Sequence, residues 1–184
     1  MLFRSQLILE HMELAGDGAL QAAFEQLKKK LAAEGLFDPD SKKSLPSTPG
    51  TVALITSGSG AALHDLLTVF SRRYPLARLL VIPSRVQGAG ADLELSEAIS
   101  RAESAVKAGV DINAVILARG GGSAEDLWTF NSEALARRIA ACNIPTVSAV
   151  GHETDFTISD FVADQRAATP SAAAELLTPD RADL

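Results

Sequence analysis

Residues equipped for chemistry gather in "SAVGHETDFTISD", positions 148 to 160. An apolar run from Ile144 to Val150 stops at Gly151, and His152, Glu153 and Asp155 follow at once. An imidazole and carboxylates so close together suit proton transfer: His152 and Asp155 can form an acid–base pair or orient a water. The bland alternative makes Thr154 a helix cap with Asp155 in the first turn, and it leaves His152 without a purpose. The stretch is not a zincin helix, because Phe156 stands where the second histidine would be. Three histidines and one cysteine in the whole chain argue against a multi-histidine or cysteine-rich zinc site.

A second cluster is "ARGGGSAED", positions 118 to 126. Gly120, Gly121 and Gly122 let backbone N–H groups approach an anion, and Arg119 can grip a phosphate bidentately. Ser123 and Asp126 have capping-box spacing, which predicts a helix whose positive end points at the same spot. The alternative is a plain turn with a surface arginine. The loop is neither a Walker loop, lacking Gly-Lys-Ser/Thr, nor a full dinucleotide fingerprint.

Two further stretches carry candidates. In "TSGSGAALHD" (56 to 65), Asp65 is either a site carboxylate or a partner of the helix dipole, and His64 reads as a solvated helix residue. In "ADQRAATPSAAAELL" (163 to 177), Thr169 and Pro170 mark a helix start. Asp164 and Arg166 either pair with each other or Arg166 reaches a cleft. Trp128 and Phe130 either stack on a nucleobase or belong to the core.

The elements that must position these residues alternate in texture. A helix is expected from Gly16, with Leu20, Phe24, Leu27 and Leu31 on one face and Gly35 as its stop. Residues 38 to 50, "DPDSKKSLPSTPG", read as a linker. Strands follow at 51–56, 78–83, 113–118 and 144–150. Between them lie helical patterns built on Leu63, Leu66, Leu67 and Phe70, then on Leu95, Ile99, Ala102 and Val106, then on Leu127, Ala134, Leu135 and Ile139. Apolar strands alternating with helices predict an α/β fold of three layers, a mostly parallel sheet with helices on both faces. Ligands of such sheets bind at the carboxyl ends of the strands. All four loops after the strands are Gly-rich or polar, so the candidates should meet at that edge.

The 184 residues suffice for a sizeable core, and 47% hydrophobic with 22% charged residues is ordinary for a globular protein. A net charge of −6 speaks against wholesale electrostatic wrapping of nucleic acid, though not against a few arginines focused in one cleft. The single Cys142 suits a reducing compartment, and no run approaches the roughly 18 apolar residues of a membrane span, so a cytoplasmic location is expected.

The run "ARGGGSAEDLWTFNSEALARRIAACNIPTVSAVGHETDFTISDFVADQRAATPSAAAELL" resembles the signature core of the exodeoxyribonuclease VII large-subunit family. "GDGALQAAFEQLKKKLAAEGLF", "TSGSGAALHDLL", "RRYP" and "RVQGAGAD" match it in order, so the resemblance spans roughly residues 7 to 180. Two departures concern loops: no Pro-Thr pair precedes "GAA", and Ala168 stands where the family often has proline. The resemblance implies hydrolysis of single-stranded DNA from both ends with release of oligonucleotides. It places functional positions on Asp65, Arg119, His152 and Asp155, with Gly120 to Ser123 as phosphate binders and Glu153, Asp126 and Arg166 in support. No metal is strictly required in the family, and Mg²⁺ is an option for the carboxylates. Residues 1–15 then read as the remnant of an OB-type domain, 16–50 as helix and linker, and 51–184 as the nuclease domain running into a helical region. Expected partners are single-stranded DNA and several copies of a small subunit. The competing reading is a nucleotide- or sugar-phosphate-binding module without nuclease activity, which would not need the His-Glu-Thr-Asp cluster.

Overall fold

The computed structural model describes residues 16–123 and 125–179. The proposed OB remnant, residues 1–15, lies outside the described residues.

Five parallel strands form one sheet in the order β2-β1-β3-β4-β5: β1 (Thr51–Thr56), β2 (Arg78–Pro83), β3 (Ala114–Ala118), β4 (Thr146–Ala149) and β5 (Gln165–Arg166). Every residue of β1, β3 and β4 is buried, as strands covered on both faces must be. The helices are α1 (Asp17–Ala33), α2 (Ala61–Arg73), α3 (Ala91–Lys107), α4 (Glu133–Ala140), α5 (Ile158–Val162) and α6 (Pro170–Leu176).

Strand alternation sorts two cores. Ala53, Ile55, Val115 and Leu117 face one side, where Leu95 and Ile99 of α3, Leu135 and Ile139 of α4 and Leu31 of α1 pack. Val52, Leu54 and Ile116 face the other, against Leu66 and Phe70 of α2 and Ala173 and Ala174 of α6. This is the expected three-layer fold. The chain leaves β1 for β2 on one side and returns to β3 on the other, so the strand order reverses between β1 and β3. A crevice opens at such a switch point, above the carboxyl ends of the strands.

Three local expectations need correction. A fifth strand, β5, exists; two residues are too short for any periodicity to betray it, and its pairing with β4 (Ser148 beside Arg166) defines it. The helix expected over Leu127 to Ile139 is broken: a 3₁₀ helix covers Glu125–Asn131, and α4 starts afresh after Ser132, whose hydroxyl caps the N–H of Leu135. The segment 38–50 is anchored. Lys42 Nζ donates to the carbonyls of Phe161, Val162 and Ala163 at 2.7 to 2.8 Å, satisfying orphaned groups at the end of α5. Lys43 pairs with Asp164 at 3.1 Å.

Candidate active site

The loops leaving β1, β3 and β4 converge as the topology requires. Asp65 on α2, Arg119, Gly120 and Gly121 after β3, and Gly151 and His152 after β4 line one cleft of about 160 Å³. Ala168, Thr169 and Pro170, at the start of α6, form its remaining wall. Thr169 caps α6 through the N–H of Ala172 at 3.0 Å, as its Thr-Pro sequence predicts.

Asp65 and His152 stand exposed, free to meet a ligand. Arg119 is their opposite, at 3% exposure. Its Nη2 donates to the Ser123 carbonyl at 3.3 Å and lies 3.5 Å from Asp126 Oδ2. Its Nε and Nη1 are buried and have no partner among the described residues. Buried charged donors left unpaired are costly, so such groups are found where a ligand completes them. Phosphate oxygens are acceptors suited to such charged donors.

The glycine loop gives this arginine its place. A Cβ on Gly122 would overlap Arg119 Nη2 and stand 3.0 Å from Asp126 Oδ2. The capping-box spacing of Ser123 and Asp126 is realised in reciprocal bonds: Ser123 N donates to Asp126 Oδ2 at 3.1 Å, and Asp126 N to Ser123 Oγ at 3.4 Å. They open a 3₁₀ helix, however, so the α-helix expected to follow the loop does not start there. The N-terminal end of α2 stands beside Gly120 instead, and the loop's own amides add to what it offers an anion. Among the described residues the N–H groups of Gly120, Gly121 and Gly122 have no hydrogen-bond acceptor.

After β4 the chain turns sharply, with Asp155 N donating to the His152 carbonyl at 3.2 Å. Gly151 is required there, because a Cβ would overlap the carbonyl of Asp155. Among the described residues Thr154 caps no helix. Thr157 is the cap: its N–H donates to Asp160 Oδ2 at 2.8 Å while Asp160 N donates to Thr157 Oγ1 at 3.3 Å, a capping box that opens α5. Asp155 and Glu153 are exposed, and Asp155 lines the groove beside the cleft, not the cleft itself.

Asp160 escaped sequence reasoning, although "TISD" carries a readable capping-box spacing. Its side chain is fully buried, and it also accepts from Ser148 Oγ at 2.7 Å and Thr157 Oγ1 at 2.9 Å. Burial pushes its carboxyl above the usual range, against the lowering effect of the Ser148 and Thr157 bonds and of Arg166. Arg166 Nε lies 3.8 Å from Asp160 Oδ2, and Arg166 Nη2 donates to the His152 carbonyl. Arg166 thus does not pair with Asp164, which bonds instead to Lys43 and to the N–H and hydroxyl of Thr146. Buried Asp160 holds Arg166, and Arg166 holds the backbone of the His152 turn. Phe130 is fully buried, whereas Trp128 is half-buried and lines the neighbouring groove.

Among the described residues no three His, Cys, Asp or Glu side chains gather as a metal cage. Asp65 and Asp155, the carboxylates best placed by sequence to hold Mg²⁺, line different cavities. No helix among the described residues is long and apolar enough to cross a membrane.

Comparison with known proteins places the chain in a family. The family model described as exonuclease VII, large subunit, matches residues 36–184. An exodeoxyribonuclease 7 large subunit from Pseudomonas putida is 58% identical over 97% of this chain and 38% of its own length. Relatives of the same name from Azotobacter vinelandii and Xanthomonas oryzae are 56% and 55% identical, each over 97% of this chain and over 38% and 39% of their own lengths. The chain spans about two fifths of the length of the curated relatives it matches. It belongs to the exonuclease VII large-subunit family.

Proposed function

We propose that this chain hydrolyses phosphodiester bonds of single-stranded DNA, working from both ends of the strand and releasing oligonucleotides. The observation that carries the reading is the buried Arg119, with two unpartnered guanidinium nitrogens, in one cleft with His152 and Asp65. The names of the relatives support the nuclease class.

In this reading Arg119 and the amides of Gly120 to Gly122 hold the scissile phosphate and offset the charge that builds on its oxygens. Ser123, whose N–H is taken by Asp126, contributes by fixing the loop. A water oxygen attacks phosphorus and its proton passes to a base, while the bond to the departing sugar oxygen breaks and that oxygen takes up a proton. His152 handles one of these transfers. Asp65 orients the imidazole or the water from the facing wall, and Asp155 does so from the groove side of the turn. The metal is dispensable, with Mg²⁺ at most an aid to the carboxylates.

A chain with a net charge of −6 is a poor electrostatic match for a long DNA strand. Strand capture therefore falls mainly to an OB-type domain, and docking of several small subunits to a helical region, both parts of the longer protein. A cytoplasmic setting suits the single, buried Cys142.

The test is degradation of end-labelled single- and double-stranded oligonucleotides, with and without chelator. The single strand should shorten from either labelled end in both conditions, and the duplex should persist. Tight nucleotide binding with no cleavage would instead make the chain a phosphate-binding module.

A further inference from the structure

Beside the cleft lies a larger groove of about 700 Å³, a volume typical of small-ligand sites. Its walls are aromatic and aliphatic: Phe24 of α1, Leu127 and Trp128 of the 3₁₀ helix, Phe156, and Phe161 of α5. Phe156 is 47% exposed, an unusual state for a phenylalanine in a packed α/β protein. Its ring stacks on Phe161, with centroids 5.7 Å apart at 25°, and Phe161 leans on Phe37 at 5.4 Å. Two cations lie over this ladder, Arg166 at 4.0 Å from the Phe156 ring and Lys28 at 4.7 Å from the Phe161 ring. Trp128 is half-buried and borders a second cavity of about 500 Å³ as well, so its ring stands as a partition and is not sealed in the core.

The groove lies across the His152–Asp155 turn from the candidate active site. Asp155 and Thr154, which line it, belong to the turn that carries His152, and Arg166 touches both the turn and Phe156. A strand that holds a phosphate in the cleft and crosses this turn brings its neighbouring nucleotide to the groove. Glu125 and Asp155 on the rim disfavour a phosphate inside, while the apolar floor suits the face of a base, and Asn131 and the carboxylates can meet its polar edge. Aromatic faces backed by cations are what single-stranded nucleic-acid binders present to bases, with little dependence on sequence.

We propose that the groove formed by Trp128, Phe156 and Phe161 is a stacking subsite for the base next to the scissile phosphate. It rests on the nuclease reading above and deepens it: the subsite demands an unpaired base, which makes it a source of single-strand selectivity inside the catalytic part itself.

The experiment uses the large subunit that carries this chain, assembled with its small subunit, and two probes of equal length, an oligothymidylate and an abasic strand. Trp128→Ala and Phe156→Ala should each weaken oligothymidylate binding by about ten-fold or more. They should leave abasic-strand binding unchanged, and Trp128→Phe, which keeps a flat ring, should restore most of the loss. Cleavage of oligothymidylate by the unaltered protein tests the nuclease reading separately. If that cleavage occurs, and the alanine variants bind both probes as the parent does or lose both equally, the subsite is refuted. A large drop in melting temperature for both alanine variants, with no selective loss of oligothymidylate, also refutes it, because the groove would then be a packing surface for another protein segment.

Discussion

Gly122 leaves room for the Arg119 guanidinium where it now lies: a Cβ at position 122 would overlap Nη2 and come within 3.0 Å of Cζ. The conflict is with the far end of a long side chain, not with backbone. Folding therefore tolerates it, but the guanidinium must move. Gly121, one residue earlier, has open space where its Cβ would go. Gly122→Ala should reduce hydrolysis by at least about ten-fold with little change in melting temperature, whereas Gly121→Ala should stay within a few-fold of the parent. Equal effects of the two substitutions on rate would show that the position of Arg119 is not what the loop supplies.

Arg119→Lys keeps the charge and loses the planar fork. Lysine cannot place two donors where Nε and Nη1 now stand, so turnover at saturating single-stranded DNA should fall by ~10²–10³. Affinity for the strand should change far less, because the proposed function assigns most of it to parts of the longer protein outside this chain. A variant that binds weakly yet turns over normally at saturation would make Arg119 a grip on the strand and nothing more.

Asp160→Asn removes an acceptor from a site where Ser148 Oγ, Thr157 N and Thr157 Oγ1 all donate. It should cost about 1–3 kcal/mol, since a buried donor loses its partner. The pH dependence has a defined sign. Burial raises the native pKa of Asp160 above its ordinary 3.8, so the folded state holds this proton more tightly than the unfolded one. The stability this gives is complete below the unfolded value and is lost as pH rises through the raised native value. Asparagine does not titrate, so the gap between parent and variant should be widest at the acid end and narrow toward neutrality. Urea denaturation from about pH 4 to pH 7 measures it, and a gap that widens with pH would contradict the assignment.

Much of the fold was legible because its signals are local. Three strand spans, the Thr169–Pro170 helix start and the Gly-rich loops follow from periodicity, caps and punctuation. The meeting of Asp65, Arg119 and His152 followed from one topological rule applied to post-strand loops. What escaped depends on contacts distant in sequence. β5 exists through its pairing with β4, and Lys42 is an anchor because the carbonyls of α5 end above it. The break between the 3₁₀ helix and α4 is marked only by Ser132, whose hydroxyl both caps Leu135 and donates to Asp92 at 2.7 Å. Asp155 is only three residues from His152 in sequence, yet the tight turn at Gly151 directs it to the groove.

The central claim is that the cleft of Asp65, Arg119 and His152 is where the DNA backbone is cut. His152 is exposed and its carbonyl, not its ring, receives the Arg166 and Asp155 bonds, so His152→Ala removes the imidazole and leaves the turn's hydrogen bonds in place. The decisive measurement is the single-turnover rate of this variant on an end-labelled single strand at saturating enzyme, in the large subunit assembled with its small subunit. A fall of ~10²–10⁴, with unchanged melting temperature and nearly unchanged strand affinity, is the predicted result. A rate within a few-fold of the parent would contradict the account and move the chemistry out of this cleft.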